Sequence, residues 1–189
     1  ENEIWDGFPD ETNAPYGISK KIMLVQSDAY RRQYGFNSIT VIPTNLYGPE
    51  DDFNIETSSV IPGIILKISN AVKTDSNEVV LWGDGSPTRD FLFVDDAADG
   101  IILAAQKYED GTPINLGAQK ETSIKELAML VSEIMKFSGN IIWDEAKANG
   151  QPRRCVSNYK AEREIGFKPK ISLRDGLTNV ISWFDSNYS

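Results

Sequence analysis

The sequence predicts an α/β fold from the alternation of strand and helix patterns, and composition, length and cysteine count bound the rest. Short β-branched runs at residues 38–42, 78–82, 90–94, 114–116 and 141–143 alternate with stretches whose apolar residues recur at helical spacing. The chain of 189 residues is 40% hydrophobic and 25% charged, the make-up of an ordinary globular protein. At this length a chain buries roughly 70% of the surface its unfolded form exposes, so a core needs no staple. The single cysteine, Cys155, excludes an intramolecular disulfide and makes a reducing, cytoplasmic setting the expectation. Packed as a small hydrophobe, Cys155 is expected in the interior.

Taken in order, Thr12 and Asn13 followed by Pro15 form a helix entry, because proline has no N–H to lose in a first turn. That helix is expected to run to about Tyr34, where Gly35 stops it. Residues 38–42 then read as a buried strand, and 43–49 as a loop, by its prolines and glycine. A helix is expected over 60–72, with Pro62 tolerated in its first turn. Residues 78–82 and 90–94 read as two strands around Gly83-Asp84-Gly85-Ser86-Pro87, a connection longer than a tight hairpin. A helix over 95–107 and a strand at 114–116 follow. Thr122 or Ser123 then caps a helix with Glu126 at the capping-box position and Ile124, Leu127, Val131 and Ile134 as its stripe. After a strand at 141–143, Ser172 caps a closing helix with Leu173, Leu177, Val180, Ile181 and Phe184 on its apolar face.

Histidine is absent, which excludes Ser-His-Asp and Cys-His catalysis and histidine metal ligands, so no metal site is expected. Any chemistry must use Tyr, Lys, Ser, Thr or carboxylates. The balance of 19 basic against 28 acidic residues, net −9, repels a phosphate backbone and argues against nucleic-acid or anionic-membrane partners. An anionic ligand must therefore meet a local basic patch. No run approaches the ~18 apolar residues of a membrane span. The opening Glu1-Asn2-Glu3-Ile4-Trp5 is neither a signal peptide nor an initiator methionine, which suggests a piece of a longer chain.

Tyr16 and Lys20 lie four residues apart at a helix start, hence on one face. An ammonium beside a phenol stabilises the tyrosinate, which suits the pair to moving a proton on or off an alcohol or ketone. Standing alone, the spacing fits a solvated helix face better than a catalytic pair. Trp82 at a strand end also fits a core or rim position, and Arg89, Arg153 and Arg154 fit ordinary solvated surface.

Four segments in one order narrow the choice: 11–20 with Tyr-Gly-Ile-Ser-Lys, 43–49 with Pro-Thr-Asn-Leu-Tyr-Gly-Pro, Trp82-Gly83 with Thr88-Arg89-Asp90-Phe91, and Gly150-Gln151-Pro152-Arg153-Arg154. Together they resemble the extended short-chain dehydrogenase/reductases, the NAD-dependent epimerase/dehydratase family. Within it, order and spacing are most similar to the fucose-synthase branch, NADP-dependent epimerase/reductases of GDP-4-keto-6-deoxymannose. The resemblance implies the C-terminal two-thirds of a Rossmann-like fold. Residues 1–50 and about 90–120 would be Rossmann elements, and about 51–90 and 121–189 mostly a smaller α/β substrate-binding lobe.

Carried over by position, the resemblance implies that Tyr16 is the catalytic acid/base and that Lys20 assists it and contacts the nicotinamide ribose. Pro43, Thr44, Asn45 and Leu46 would line the nicotinamide. Lys67, Trp82, Arg89 and Arg154 would bind the GDP-sugar. A homodimer through the first long helix is also implied.

Two departures bear on activity. The sequence contains no Gly-x-x-Gly-x-x-Gly cofactor loop, so this chain alone is not expected to hold NADP tightly. Ser59 stands before Val60-Ile61-Pro62, where the fucose-synthase branch has a histidine for proton transfer at the epimerised carbons. Three readings stay open: a portion of a catalytic epimerase/reductase or related dehydratase, a nucleotide-sugar-binding module without redox function, and a structural or self-associating role.

Overall fold

The computed structural model describes residues 1–188. A 3-10 turn, Glu11–Asn13, leads into helix α1, Ala14–Tyr34, with its proline in the first turn. Gly35 closes α1 at φ 65°, donating its N–H to Arg31 O, while Phe36 N reaches Tyr30 O. That left-handed cap satisfies carbonyls a continuing helix would have used. Strands β1, Val41–Pro43, and β2, Asn45–Tyr47, follow, then helix α2, Val60–Lys73. Strands β3, Glu78–Trp82, and β4, Thr88–Phe93, precede helix α3, Val94–Lys107, and strand β5, Ile114–Leu116. Strand β6, Glu121–Ser123, runs into helix α4, Ile124–Ile134, followed by β7, Asn140–Asp144, and β8, Arg153–Arg154. Helices α5, Tyr159–Ile165, and α6, Leu173–Tyr188, complete the described chain.

Pairing is mostly parallel and non-sequential. β1 pairs with β5 and β3 with β7, each in parallel. β4 is the hub: its Phe91–Phe93 end pairs in parallel with β2, while Thr88 and Arg89 take antiparallel β6 on one side and parallel β8 on the other. β3 and β4 therefore belong to different sheets and do not form a hairpin, despite being consecutive. The segment read as a loop at 43–49 contains β2, because Asn45, Leu46 and Tyr47 find partners in Phe91, Leu92 and Phe93. The strand expected at 38–42 instead spans Val41–Pro43.

Two apolar clusters sit on either side of β4. On one, Ile61, Ile64, Ile65 and Ile68 of α2 meet Phe91 and Phe93, Leu127 and Val131 of α4, and Leu177, Val180 and Phe184 of α6. Each such aliphatic side chain contributes about 1.5–3 kcal/mol on burial. On the other, Leu92 packs with Ala97 and Ala104 of α3, Ile114 and Leu116 of β5, and Ile165 and Phe167. Gly100 lets α3 approach, since a Cβ there would lie 2.8 Å from Leu116 and 2.9 Å from Phe167. The capping box forms as read: Ser123 Oγ accepts from Glu126 N and Glu126 Oε2 accepts from Ser123 N. Ser172 caps α6 in the same manner, accepting from Asp175 N.

Helix α1 contributes no buried residue. Its Gly17, Lys21, Leu24, Ser27 and Arg31 stripe is half-buried, anchored by Ser27 on Ser38 and by Arg31 on Ser38 O and Glu109 O. Ile18, Ile22 and Val25 on one flank, and Met23, Tyr30 and Tyr34 on the other, remain exposed. Among the described residues, no helix is long and apolar enough to cross a membrane.

Candidate functional site

The phenol and the ammonium do meet. Lys20 Nζ lies 5.3 Å from the centroid of the Tyr16 ring, with both side chains exposed in the first turns of α1. The entry to that helix is fixed from outside it. Gly17 rests on Pro9, where a Cβ would approach within 2.8 Å, and Asp10 Oδ1 caps the 3-10 turn by accepting from Thr12 N. The hydroxyl and amide of Thr12 hold the Asp10 carboxyl below its usual range, with Gln151 and Arg154 adding to the effect.

Thr44 and Asn45 are tied to β4. Thr44 Oγ1 donates to Asp90 O at 3.1 Å and Asn45 Nδ2 donates to the same carbonyl at 2.8 Å. Pro43 ends β1 and Leu46 stands 40% exposed on β2, so the four residues form a continuous rim beside Asp90. The Asp90 side chain is fully buried: Oδ1 accepts from Ala118 N at 3.0 Å, and Oδ2 lies where a Cβ on Gly117 would come within 2.4 Å. Burial pushes this carboxyl above the usual carboxylate range, outweighing the amides of Ala118, Gln119, Lys120 and Val156 that favour its charge.

Next to Asp90, Arg89 is paired in register with Arg154 of β8. Burial, and then the charge of Arg154, lower the Arg89 guanidinium from its ordinary value. Two cations held side by side, one of them half-buried, form the local basic patch that the net charge of −9 required of an anion site. Arg154 is oriented by Gln151 Oε1, which accepts from its Nε and Nη2. Arg153, by contrast, is engaged with Glu121 and is not part of the pair.

Trp82 ends β3 and is 67% exposed. Lys67 Nζ sits 5.2 Å from that ring's centroid and donates to Val80 O at 3.0 Å, and burial lowers its pKa. Both residues line a cleft of about 240 Å³ together with Ser58, Ser59, Ile124 and Trp143. Ser59 is the N-cap residue of α2, yet its side chain makes no capping bond.

The structure thus gathers the predicted residues into three groups rather than one: Tyr16 with Lys20, the 43–46 rim with Arg89 and Arg154, and Lys67 with Trp82. A longer segment, of which the Gly150–Arg154 motif is only the end, joins them. Lys147 Nζ lies 5.8 Å from the Trp82 centroid, Asn149 accepts from Asp84 N, a Cβ on Gly150 would lie 3.9 Å from Arg89 Nη2, and Gln151 holds Arg154 and neighbours Asp10. Residues 147–154 therefore run from the Trp82 cleft past the arginine pair to the entry of α1. Lys147 and Asn149 carry no local signal of this role, because it arises only from the loop that follows β7. Cys155 is half-buried rather than interior, and burial, then the nearby Asp90, raise its thiol. Tyr47, the other phenol near β4, is buried, and desolvation followed by Asp96 and Asp175 raises it far from neutrality. Among the described residues no group of three or more His, Cys, Asp or Glu side chains is placed to hold a metal ion.

Parallel strands crossed over by helices, with Tyr-x-x-x-Lys at the head of α1, define the class: the chain belongs to the NAD dependent epimerase/dehydratase family, whose model matches residues 2–117. Its architecture is that of extended short-chain dehydrogenase/reductases. It is 41% identical over 187 residues to probable GDP-L-fucose synthase 1 of Oryza sativa subsp. japonica, covering 99% of this chain and 57% of that protein. It is 35% identical to the GDP-L-fucose synthase of Escherichia coli K12, covering 99% of this chain and 61% of that protein. Among solved structures, a GDP-L-fucose synthetase from Naegleria fowleri bound to NADP superimposes with a TM-score of 0.90 at 30% identity, over 97% of this chain and 59% of that one. The chain thus spans about three-fifths of the length of the relatives it matches.

Proposed function

We propose that this chain forms the sugar-nucleotide-binding part, together with the catalytic Tyr-Lys pair, of an NADP-dependent epimerase/reductase acting on GDP-4-keto-6-deoxymannose. The observation that carries this reading is the 147–154 segment, which puts an exposed tryptophan, a paired set of arginines and the entry to the Tyr16 helix along one line. A nucleotide sugar has the matching order of parts: a base to stack, a diphosphate to neutralise and a sugar to present to an acid. Lys67, Trp82, Arg89 and Arg154 serve the first two, and Tyr16 serves the third.

The residues present fit the nicotinamide end of NADP: Lys20 stands beside the phenol, and Thr44 and Asn45 are held rigid by the Asp90 carbonyl. Lys20 and residues 43–46 would hold that end, while the phosphate-binding glycine loop is not in this sequence. NADPH held there would supply a hydride for the C4 carbonyl carbon of the sugar. Tyr16 gives its phenolic proton to the carbonyl oxygen as it becomes an alcohol, and the Lys20 ammonium stabilises the tyrosinate left behind. Ser59 lines the cleft where the branch places a histidine, and a hydroxyl does not exchange protons near neutral pH as an imidazole does. Reduction is therefore the step these side chains support directly. The test is NADPH oxidation by this chain joined in frame behind the glycine-loop portion of a relative, with Tyr16→Phe as the decisive variant.

We also propose that the exposed Ile18, Ile22 and Val25 flank of α1 pairs with a second copy. Light scattering should give a dimer that Ile22→Asp converts to a monomer with an unchanged melting temperature. A monomer at high concentration would refute this.

A further inference from the structure

We propose that Lys147 selects guanine over adenine at the Trp82 platform, and that Asn149 is the positioning residue that puts it there. This rests on reading Trp82 as a base-stacking surface. The ammonium of Lys147 lies 5.8 Å from the Trp82 centroid, and among the described residues it makes no hydrogen bond or ion pair. Offset-stacked rings hold their centroids about 4.5–7 Å apart, so a base stacked on Trp82 comes within reach of this ammonium. With no bond to break, the ammonium is free to turn to the edge of a base that stacks on the tryptophan. Lys67, the other cation near the ring, is tied to Val80 O and is not free to turn to a base edge.

An ammonium has three donors and no acceptor. It is satisfied at the O6/N7 edge of guanine, which offers two adjacent acceptors. At the corresponding edge of adenine it meets N7 beside an amino donor. The loop is built to hold this arrangement. Gly83 N donates to Asp144 O at 2.9 Å, Lys147 N to Asp144 O at 3.1 Å, and Asp84 N to Asn149 Oδ1 at 2.9 Å. Gly83 has φ +78°, and a Cβ there would lie 2.1 Å from Asn149 Oδ1, so the latch requires glycine at that turn.

The test is calorimetric titration of this 189-residue chain with GDP and with ADP, which share the diphosphate and differ at the base edge. Lys147 is exposed, so Lys147→Ala should keep the melting temperature. It should weaken GDP binding about tenfold while ADP binding stays within about twofold. Asn149→Ala should move selectivity in the same direction, and Asn149→Asp, which keeps the acceptor for Asp84 N, should restore it. Wild-type GDP binding with an unchanged GDP-to-ADP ratio in Lys147→Ala would overturn the inference and leave the platform standing. GDP binding that survives Trp82→Ala, or no binding by the wild-type chain, would overturn both.

Discussion

Replacing Tyr16 by Phe, in this chain joined to a glycine-loop portion, should lower the rate of reduction by about 10²–10⁴-fold, the usual worth of a positioned general acid. Nucleotide binding should be unchanged. The asymmetry follows from geometry: the Tyr16 side chain is exposed, and it touches the Lys20 ammonium rather than the Trp82 cleft or the arginine pair. Its hydroxyl can be removed without loosening the fold or the nucleotide subsites. Lys20→Ala should reduce the rate as well, through loss of the cation that stabilises the tyrosinate. Retained turnover in Tyr16→Phe would refute the assigned role.

Asp90→Ala should destabilise the chain by about 2–3 kcal/mol, because the Ala118 amide loses its buried acceptor and a void opens beside Gly117. The penalty should depend on pH in a direction that identifies the cause. Burial raises the native Asp90 carboxyl above its unfolded value, so the folded state binds a proton more readily than the unfolded one. Wild-type stability relative to the variant should therefore grow as pH falls from the raised native value to the ordinary carboxylate range, and level off below it. Denaturant unfolding of both proteins across that window measures the gap. A gap that narrows on acidification would show that the native carboxyl is depressed instead.

What could be read in the sequence was what is locally encoded. Ser123 with Glu126, the Gly35 stop, Glu78–Trp82 and the α6 stripe all carry their signal within one turn or one strand, and each appears where expected. Strands β2, β6 and β8 do not. Asn45, Glu121, Arg153 and Arg154 are poor strand formers that become extended only because β4 offers them partners across long stretches of chain. Helix α5, only seven residues long with two of them buried, has too short a stripe to register, although Gly166 marks its end. The candidate site divides in the same way. Tyr16 and Lys20 are legible because four-residue spacing on a helix fixes proximity. Asp90, Lys147 and Asn149 owe their places to contacts across loops, which no local periodicity records.

A folded subsite for a guanine nucleotide in this chain should show in calorimetric titration with GDP at low salt, where the Arg89 and Arg154 pair is least screened. Binding should be measurable and should weaken about tenfold in Arg89→Ala, through the loss of a charge-assisted contact. No heat at millimolar GDP, or binding indifferent to Arg89→Ala, would contradict it.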